Sequence, residues 1–416
     1  MRTVTSLVAL ALVLLAAALF TKLAFLFLAS YLIAALLLLT HLWVWRMRCG
    51  LRVHRKFTPR IFHGELVSVT IRLDNQSWLP IPWLSIREGL PHRIATHDAL
   101  RRVVRIPSRG SAEIQYELQG TRRGYHRLGP LEVRFGDVFG IASQNLLIDT
   151  AEFAIVYPEI IPVETFHIES NTPFGDMRSH QRIYQDPIRV IGSRDYQPGD
   201  SQRLINWKAT AAAGQLMVRN LEPAVSHEVH IFLDLDPVSY SRQWLEQASE
   251  LAVNVAASLS TFMLENRQTV GIMVNGLDPI YLGGKRMVSQ TEARRHMGSQ
   301  IPRVPMGHGR THLMTCLDLL ARVELLAGSE TSQLVTNAAI GLPWGSTSII
   351  VTGLRSKNLL TALTAQRKLG HRVITVFTDP SAATLSVGSA RAAGLSSFAI
   401  TNKDQMRVWR DNRAPV

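Results

Sequence analysis

The chain has 416 residues, 46% of them hydrophobic, and its 45 Lys and Arg against 32 Asp and Glu leave a formal charge of +13. A length of this order holds two or three domains, and the composition excludes wholly disordered, collagen-like and disulfide-rich secreted chains. Cys49 and Cys316, the two cysteines, are too few for a disulfide framework or a four-thiolate zinc site and read as reduced thiols in a cytosol-facing protein.

The charges are unevenly spread: within the first 45 positions only Arg2 and Lys22 are ionic. Val4 to Phe20 and Leu23 to Trp45 are each long enough to cross a bilayer core, so residues 1–46 are expected to form a transmembrane helical hairpin. A secretory signal competes for the first segment, but Ala16-Ala17-Ala18 runs straight into more apolar sequence and the second span would anchor the chain anyway. Arg46, Arg48, Arg52, Arg55 and Lys56 crowd the exit of the second span, whereas the turn carries only Lys22. Positive flanks are retained on the cytoplasmic side, which puts both termini and the bulk of the chain in the cytoplasm of a multi-pass inner (plasma) membrane protein. His41, Trp43 and Trp45 suit the interfacial belt, and part of the positive charge faces anionic lipid. No groove-reading motif or aromatic-studded basic stripe points to nucleic acid.

From about 53 to 160 the pattern turns to short alternating runs such as Leu66-Val67-Ser68-Val69-Thr70-Ile71-Arg72-Leu73 and Leu131-Glu132-Val133-Arg134-Phe135, broken at Asp74-Asn75, Ser108-Arg109-Gly110 and Gly129-Pro130. Five to seven strands with one buried face predict a small antiparallel β-sandwich. Its arginines, including Arg101, Arg102, Arg105 and Arg127, form a solvated, lipid-near face or a docking surface for an acidic partner.

Residues 161–222 read as an irregular connecting segment. Within it, Pro198-Gly199 makes a turn, Asp200 is placed to cap a helix starting at Ser201, and Arg203 and Trp207 would then share one helical face. The sequence Arg194-x-Tyr196-x-Pro198-Gly199-Asp200-x-x-Arg203-x-Ile205-x-Trp207, followed by Leu216-x-Val218-Arg219, resembles the signature of a bacterial family known only as a domain of unknown function, number fifty-eight of its series. Arg122-Arg123-Gly124-Tyr125 and Asp137-Val138-Phe139-Gly140 resemble the strand region that precedes that signature. Physically, Asp200, Arg194 and Arg203 could lock the segment against the following domain through a charged network; the alternative is a partner-docking or ligand role for the signature, Tyr196 and Trp207 included.

From 223 to 416 strands alternate with helices, predicting a doubly wound α/β sheet whose site lies at the carboxyl ends of its strands. The predicted elements are the strands Val229–Leu233, Thr269–Val274, Thr347–Thr352 and Arg372–Phe377, and the helices Trp244–Glu265, Thr311–Ala327 and Leu359–Leu369. The resemblance implies a von Willebrand factor A-like domain. Such folds hold a divalent cation on Asp-x-Ser-x-Ser, a later Thr and a later Asp, since hard cations want oxygen ligands. Here Asp234 matches, Asp236 replaces the first Ser, Val238 cannot ligate, Thr311 resembles the threonine position, and Gly353 stands where the later Asp is expected. Asp234, Asp236 and Thr311 are thus a degenerate candidate set for Mg or another divalent ion; otherwise the two carboxylates cap turns. Gly307-His308-Gly309-Arg310-Thr311 lacks the spacing of a phosphate loop, and His308, His312 and Cys316 read as packing groups.

The fold class expected is a membrane-anchored α+β multidomain chain, and the function a non-enzymatic adaptor or scaffold. The resemblance implies a MoxR-type AAA+ ATPase as partner, beside a transglutaminase-like membrane protein, in complex assembly or envelope and stress functions. A metal-dependent hydrolase built on Asp234 and Asp236, or a purely structural envelope protein, are the alternatives.

Overall fold

A computed structural model describes residues 2–90, 94, 101–149, 152–164, 166, 184–197, 201–224, 228–282, 301–327, 330–339, 341–343, 345–353, 356–381, 383–407 and 409. The chain separates into two compact units, Met1–Glu159 with Leu320–Arg322, and Ile160–Leu319 with Val323–Val416.

In the first unit, helices α1 (Arg2–Thr21) and α2 (Ala24–Gly50) are both long and apolar enough to cross a membrane. Lys22, at φ 53°, reverses the chain between them, and the Ser30 hydroxyl of α2 donates to the Ala11 carbonyl of α1 at 3.1 Å. Leu12, Val13, Phe20, Phe25, Leu32 and Leu38 remain exposed, an outer surface that suits hydrocarbon and not water. The helix α2 outruns its expected end. It continues to Gly50 and passes without a loop into strand β1 (Leu51–Lys56), and Val44 and Met47 are buried in the core of the β-rich body. Glycine is needed at the junction because a Cβ on Gly50 would stand 2.8 Å from the Ser77 backbone nitrogen.

That body has more strands than the sequence suggested: β2 (Arg60–Ile61), β3 (Leu66–Asn75), β4 (Ile81–Glu88), β5 (Arg101–Ile106), β6 (Ser111–Gln119), β7 (Gly124–Leu128), β8 (Leu131–Gly136), β9 (Ser143–Ile148) and β10 (Glu152–Val156). They form sheets in the orders β1-β3-β6, β2-β10-β7 and β5-β4-β8-β9. All pairings are antiparallel except β2 with β10, which run parallel. Strict alternation decides which face is buried: Val67, Val69, Ile71 and Leu73 of β3 point inward while Ser68 and Arg72 point out. Ile71 and Leu73 share one core with Leu84 and Ile86 of β4 and Val133 and Phe135 of β8. Val67 and Val69 share a second core with Ile61, Leu118, Leu128 and Val156. One charge cluster is buried with them. Arg55 is ion-paired to Glu88 and, at 2.6 Å, to Glu152. Burial pushes the Glu88 carboxyl up, against the opposing pull of the Tyr116 hydroxyl and the Arg55 guanidinium.

The second unit holds a two-stranded antiparallel hairpin, β11 (Tyr184–Asp195) with β12 (Met217–Ala224), where the sequence suggested irregular chain. Its principal element is a six-stranded sheet in the order β15-β14-β13-β16-β17-β18, built from β13 (Glu228–Leu233), β14 (Thr269–Val274), β15 (Arg303–Gly307), β16 (Thr347–Thr352), β17 (Arg372–Phe377) and β18 (Ser396–Ala399). Five strands are parallel; β15 is an antiparallel edge. Both faces of β13 and β16 are buried, as a covered parallel sheet requires. The helix α4 (Leu245–Glu265) packs on β13, β14 and β16. The helix α5 (Gly309–Arg322) follows β15, and α6 (Thr331–Ala339), α7 (Lys357–Lys368) and α8 (Ala383–Ala392) pack on the face carrying Phe232, Ile350, Val373 and Phe377. Phe166 stacks edge-on with Phe262 and Trp409 and tilts against Phe398.

Candidate functional site

Two places in the second unit gather the residues that the sequence marks out. The first is the carboxyl edge of the sheet. The strand β13 is followed in the sheet by β14 on one side and β16 on the other, so the order of strands reverses between β13 and β16, where open α/β sheets bind their ligands. Asp234 stands one residue beyond β13 and is 1% exposed. Its Oδ1 accepts from the Asp236 amide at 3.0 Å and from Asn275 Nδ2 at 2.8 Å, and its Oδ2 accepts from the Thr352 hydroxyl at 2.7 Å. Asn275 is fixed in turn: its Oδ1 accepts from the Leu235 amide at 2.5 Å and its Nδ2 also donates to Thr331 Oγ1 at 2.9 Å. Asp236 caps the 3-10 turn Pro237–Ser239 by accepting from the Val238 amide at 3.1 Å. Asp234 therefore ties the ends of β13, β14 and β16 together, its carboxylate accepting three bonds from protein N–H and O–H groups.

Thr311 does not join this set. Its neighbour His312 bonds through Nε2 to the Val270 carbonyl at 2.8 Å, and Val270 lies opposite Val229, at the amino end of the parallel strands. Asp234 is five residues further along β13, roughly 16 Å away at about 3.3 Å per residue. Thr331 and Thr352, by contrast, do reach the network around Asp234. Gly353, where an aspartate was expected, is a steric necessity. A Cβ there would meet the Ser239 carbonyl and the Tyr240 ring, each at 2.4 Å. The Tyr240 hydroxyl, in the same turn, donates to the Asp234 carbonyl at 2.5 Å. The arrangement does not fit a divalent cation: hydrogen donors already point at both Asp234 oxygens, and the described residues assemble no group of three His, Cys, Asp or Glu side chains able to hold a metal.

A further carboxylate escaped the sequence reading. Asp379, two residues beyond β17 and fully buried, accepts at Oδ2 from the amide and hydroxyl of Ser241, both at 2.7 Å, and at Oδ1 from the amide and hydroxyl of Ser381 at 2.9 and 2.6 Å. Burial alone would raise its pKa, but these four bonds outweigh it and hold the carboxyl below its ordinary value. The signal was available: Thr378-Asp379-Pro380 directly follows a recognised strand at the edge where the sheet places its polar groups.

The second place is the signature. Arg194 lies in β11, Tyr196 just beyond it, Arg203 in a 3-10 turn (Gln202–Leu204), and Trp207 opens helix α3 (Trp207–Ala213). A single helix from Ser201 does not form; the chain breaks at Ile205, which bridges Val218, and Asn206 caps α3 by accepting from the Ala209 amide at 3.3 Å. Asn206 also donates to the Ser193 hydroxyl at 2.9 Å, and the Tyr196 amide donates to the Leu216 carbonyl at 2.9 Å, so hairpin and helix hold each other. Gly214 ends α3 in the left-handed region at φ 69°. Arg194 Nη1 donates to the Asp195 carbonyl at 3.1 Å, while Arg203 is exposed and Trp207 is 69% exposed. Pro198, Gly199 and Asp200, and with them the expected Asp200 cap and charged network, lie outside the described residues.

Of the remaining candidates, Cys316 is buried, which pushes its thiol up to about 12, and Gly307 lets the His312 ring fold back against the β15 turn.

These features define a chain with two apolar leader helices and a mixed α/β body of several sheets. A family profile described as "Protein of unknown function DUF58" matches residues 192–411, more than half of the chain, and the chain belongs to that family. It is also similar, at 27% identity over 214 residues, to "Uncharacterized protein YeaD" of Bacillus subtilis (strain 168). That match covers 50% of this chain and spans about half, 52%, of the relative's length. Among solved structures, the CARDB domain of the PF1109 protein from Pyrococcus furiosus has a TM-score of 0.20 at 12% identity, covering 26% of this chain and 86% of that one. The cupredoxin domain of amoB from Nitrosocaldus yellowstonii has a TM-score of 0.20 at 15% identity, covering 30% and 97%.

Proposed function

We propose that this protein is a membrane-anchored, non-enzymatic adaptor. In this reading α1 and α2 form a two-pass anchor in the inner membrane, with both termini and the body in the cytoplasm. The strands of the first unit make a β-sandwich-like module, and the six-stranded sheet is a von Willebrand factor A-like domain that has given up its cation. The partner is a MoxR-type AAA+ ATPase, with a transglutaminase-like membrane protein in the same assembly, serving complex assembly or envelope functions.

The observation that carries the reading is a contrast within one unit. Asp234, Asp236 and Asp379 are buried and engaged by protein donors, whereas Arg203 and Trp207 of the signature face outward on a braced hairpin–helix module. Tryptophan and arginine are the side chains that dominate protein–protein hot spots, and an exposed tryptophan gains most by being covered. Mild-detergent capture from native membranes with mass spectrometry tests it. The wild type should retain the ATPase, and the Arg203→Ala, Trp207→Ala double variant should lose it while its melting temperature is unchanged, as expected for exposed positions. Divalent-cation-dependent hydrolysis by the pure protein, lost in Asp234→Asn, would overturn the adaptor reading.

A further inference from the structure

The rim of the first unit around the exit of α2 carries large apolar side chains that none of the described residues of that unit covers. Trp45 is 56% exposed, Trp78 63%, Val138 66% and Phe139 72%. Three turns bring them together. The Asn75–Pro80 turn, between β3 and β4, is seated directly on the helix end: the Gln76 amide donates to the Gly50 carbonyl at 2.9 Å, and the Trp43 indole N–H to the Pro80 carbonyl at 3.3 Å. The Pro107–Gly110 turn, between β5 and β6, hangs from it through the Arg109 amide to the Ser77 carbonyl at 2.9 Å and Asn75 Nδ2 to the Pro107 carbonyl at 3.0 Å. The Asp137–Ala142 turn, between β8 and β9, is held by the Trp83 indole N–H on the Asp137 carbonyl at 2.9 Å, and its Ala142 shares a core with Val44 and Met47 of α2.

The bond from Trp43 fixes a depth. Ala24 to Trp43 is twenty helical residues, about 30 Å, which is the thickness of the hydrocarbon core. Trp43 then lies at the boundary between acyl chains and headgroups, and Pro80, bonded to it, lies there too. Trp78 is two residues away on the same turn. Arg46, Arg48 and Arg109 are exposed on the same rim, so aromatic side chains are interleaved with cations, the composition that settles at an anionic headgroup layer.

We propose that these three turns form a second membrane-contacting surface, with Trp78, Val138 and Phe139 inserted at the headgroup–acyl boundary of the bilayer that α1 and α2 cross. The inference rests on the anchoring reading above. It commits to lipid as the occupant because the rim is continuous with the spanning helices and shares their depth.

The test uses the full chain in a Cys49→Ser background, in which the remaining Cys316 is buried away from the label, with cysteines introduced one at a time as Trp78→Cys, Phe139→Cys, Leu32→Cys and Glu65→Cys and labelled with bimane. Leu32 is an exposed position on α2, and Glu65 sits at the far end of β3, roughly 30 Å from the rim at about 3.3 Å per residue. Labelled protein is reconstituted alone into phospholipid vesicles carrying a doxyl group high on the acyl chain, and iodide serves as the aqueous quencher. The labels at 78 and 139 should lose most of their emission to the doxyl lipid and little to iodide; the label at 65 should do the reverse. Quenching at 32 but iodide-only quenching at 78 and 139 overturns the inference and leaves the anchor standing. Labels at 78 and 139 shielded from both quenchers would mean cover by a second copy, which also overturns it. A label at 32 that the lipid does not quench removes the anchor and the inference together.

Discussion

His230 offers the sharpest test of the energetics. It is 7% exposed, lies on β13 with Ser348 directly across on β16, and its Nε2 has no hydrogen-bond partner among the described residues. His371, itself buried and bonded to the Ser346 hydroxyl at 3.2 Å, is the nearby titratable group that opposes its charge. Burial first, and the second histidine after it, lower the His230 pKa from 6.5 to about 4. The folded state thus favours neutral imidazole, so its contribution is complete above the unfolded value of 6.5 and is lost as the pH falls toward the folded value. The linkage relation puts the loss at about 2 kcal/mol between pH 7.5 and pH 5, and at about 3 kcal/mol once the pH is below both values. His371, also lowered by burial, acts with the same sign. Pulse proteolysis of the full chain in detergent across a urea series, read on fragments of the second unit, measures the stability at each pH. The wild type should lose its midpoint steeply from pH 6.5 to 5. In His230→Leu most of that slope should vanish, with stability at pH 7.5 nearly kept, since an apolar group replaces an unpaired polar one. An undiminished slope in the variant would refute the reasoning.

Asp379→Ala strands four donors from Ser241 and Ser381 and should cost about 3 kcal/mol at neutral pH by the same proteolysis assay. Because the Asp379 carboxyl is held below its usual range, its contribution is present above pH 4 and is lost in stronger acid, which a wild-type midpoint series from pH 5 to 3 will show. Gly353→Asp, although it restores the aspartate of the cation-binding pattern, should destabilise by about 2 kcal/mol or more through collision with Tyr240, with no cation-dependent recovery in a thermal melt. In the first unit, Arg55→Met leaves Glu88 buried without its cation and should cost about 3–5 kcal/mol, while adding Glu88→Met should recover most of the loss in urea titrations.

Strong periodicity was legible in the sequence. The strands Thr269–Val274, Thr347–Thr352 and Arg372–Phe377 and the long helix ending at Glu265 stand where their apolar spacing places them. The edge strand Arg303–Gly307 and the helices Thr331–Ala339 and Ala383–Ala392 were not, because their patterns are short and polar, and the sheet and its neighbours supply what local sequence does not. At the site, Asp234 and Asp236 were found because they end a continuous apolar strand. Thr311 was misplaced because a motif resemblance carries no information on which end of the sheet a helix starts from; the register of Gly307 against Val270 decides that. Asn275 and Thr352 went unseen because an amide and a hydroxyl announce nothing until folding brings them to Asp234. Trp207 was noticed, but as part of a helix that Ile205 interrupts by pairing with Val218.

The junction at Gly50 and Leu51 has a mechanical consequence. A helix that becomes a strand within one peptide bond, with Val44 and Met47 of its last turns buried and its end bonded to the neighbouring turn, offers no swivel. Tilt or rotation of the helix pair is then transmitted to β1, and through the rungs joining Leu51 to Asn75 and Val53 to Leu73 it reaches the sheet as a rigid lever. With α1 and α2 crossing a bilayer as proposed, its thickness or a pull on the hairpin would thereby be felt by the folded body as torque.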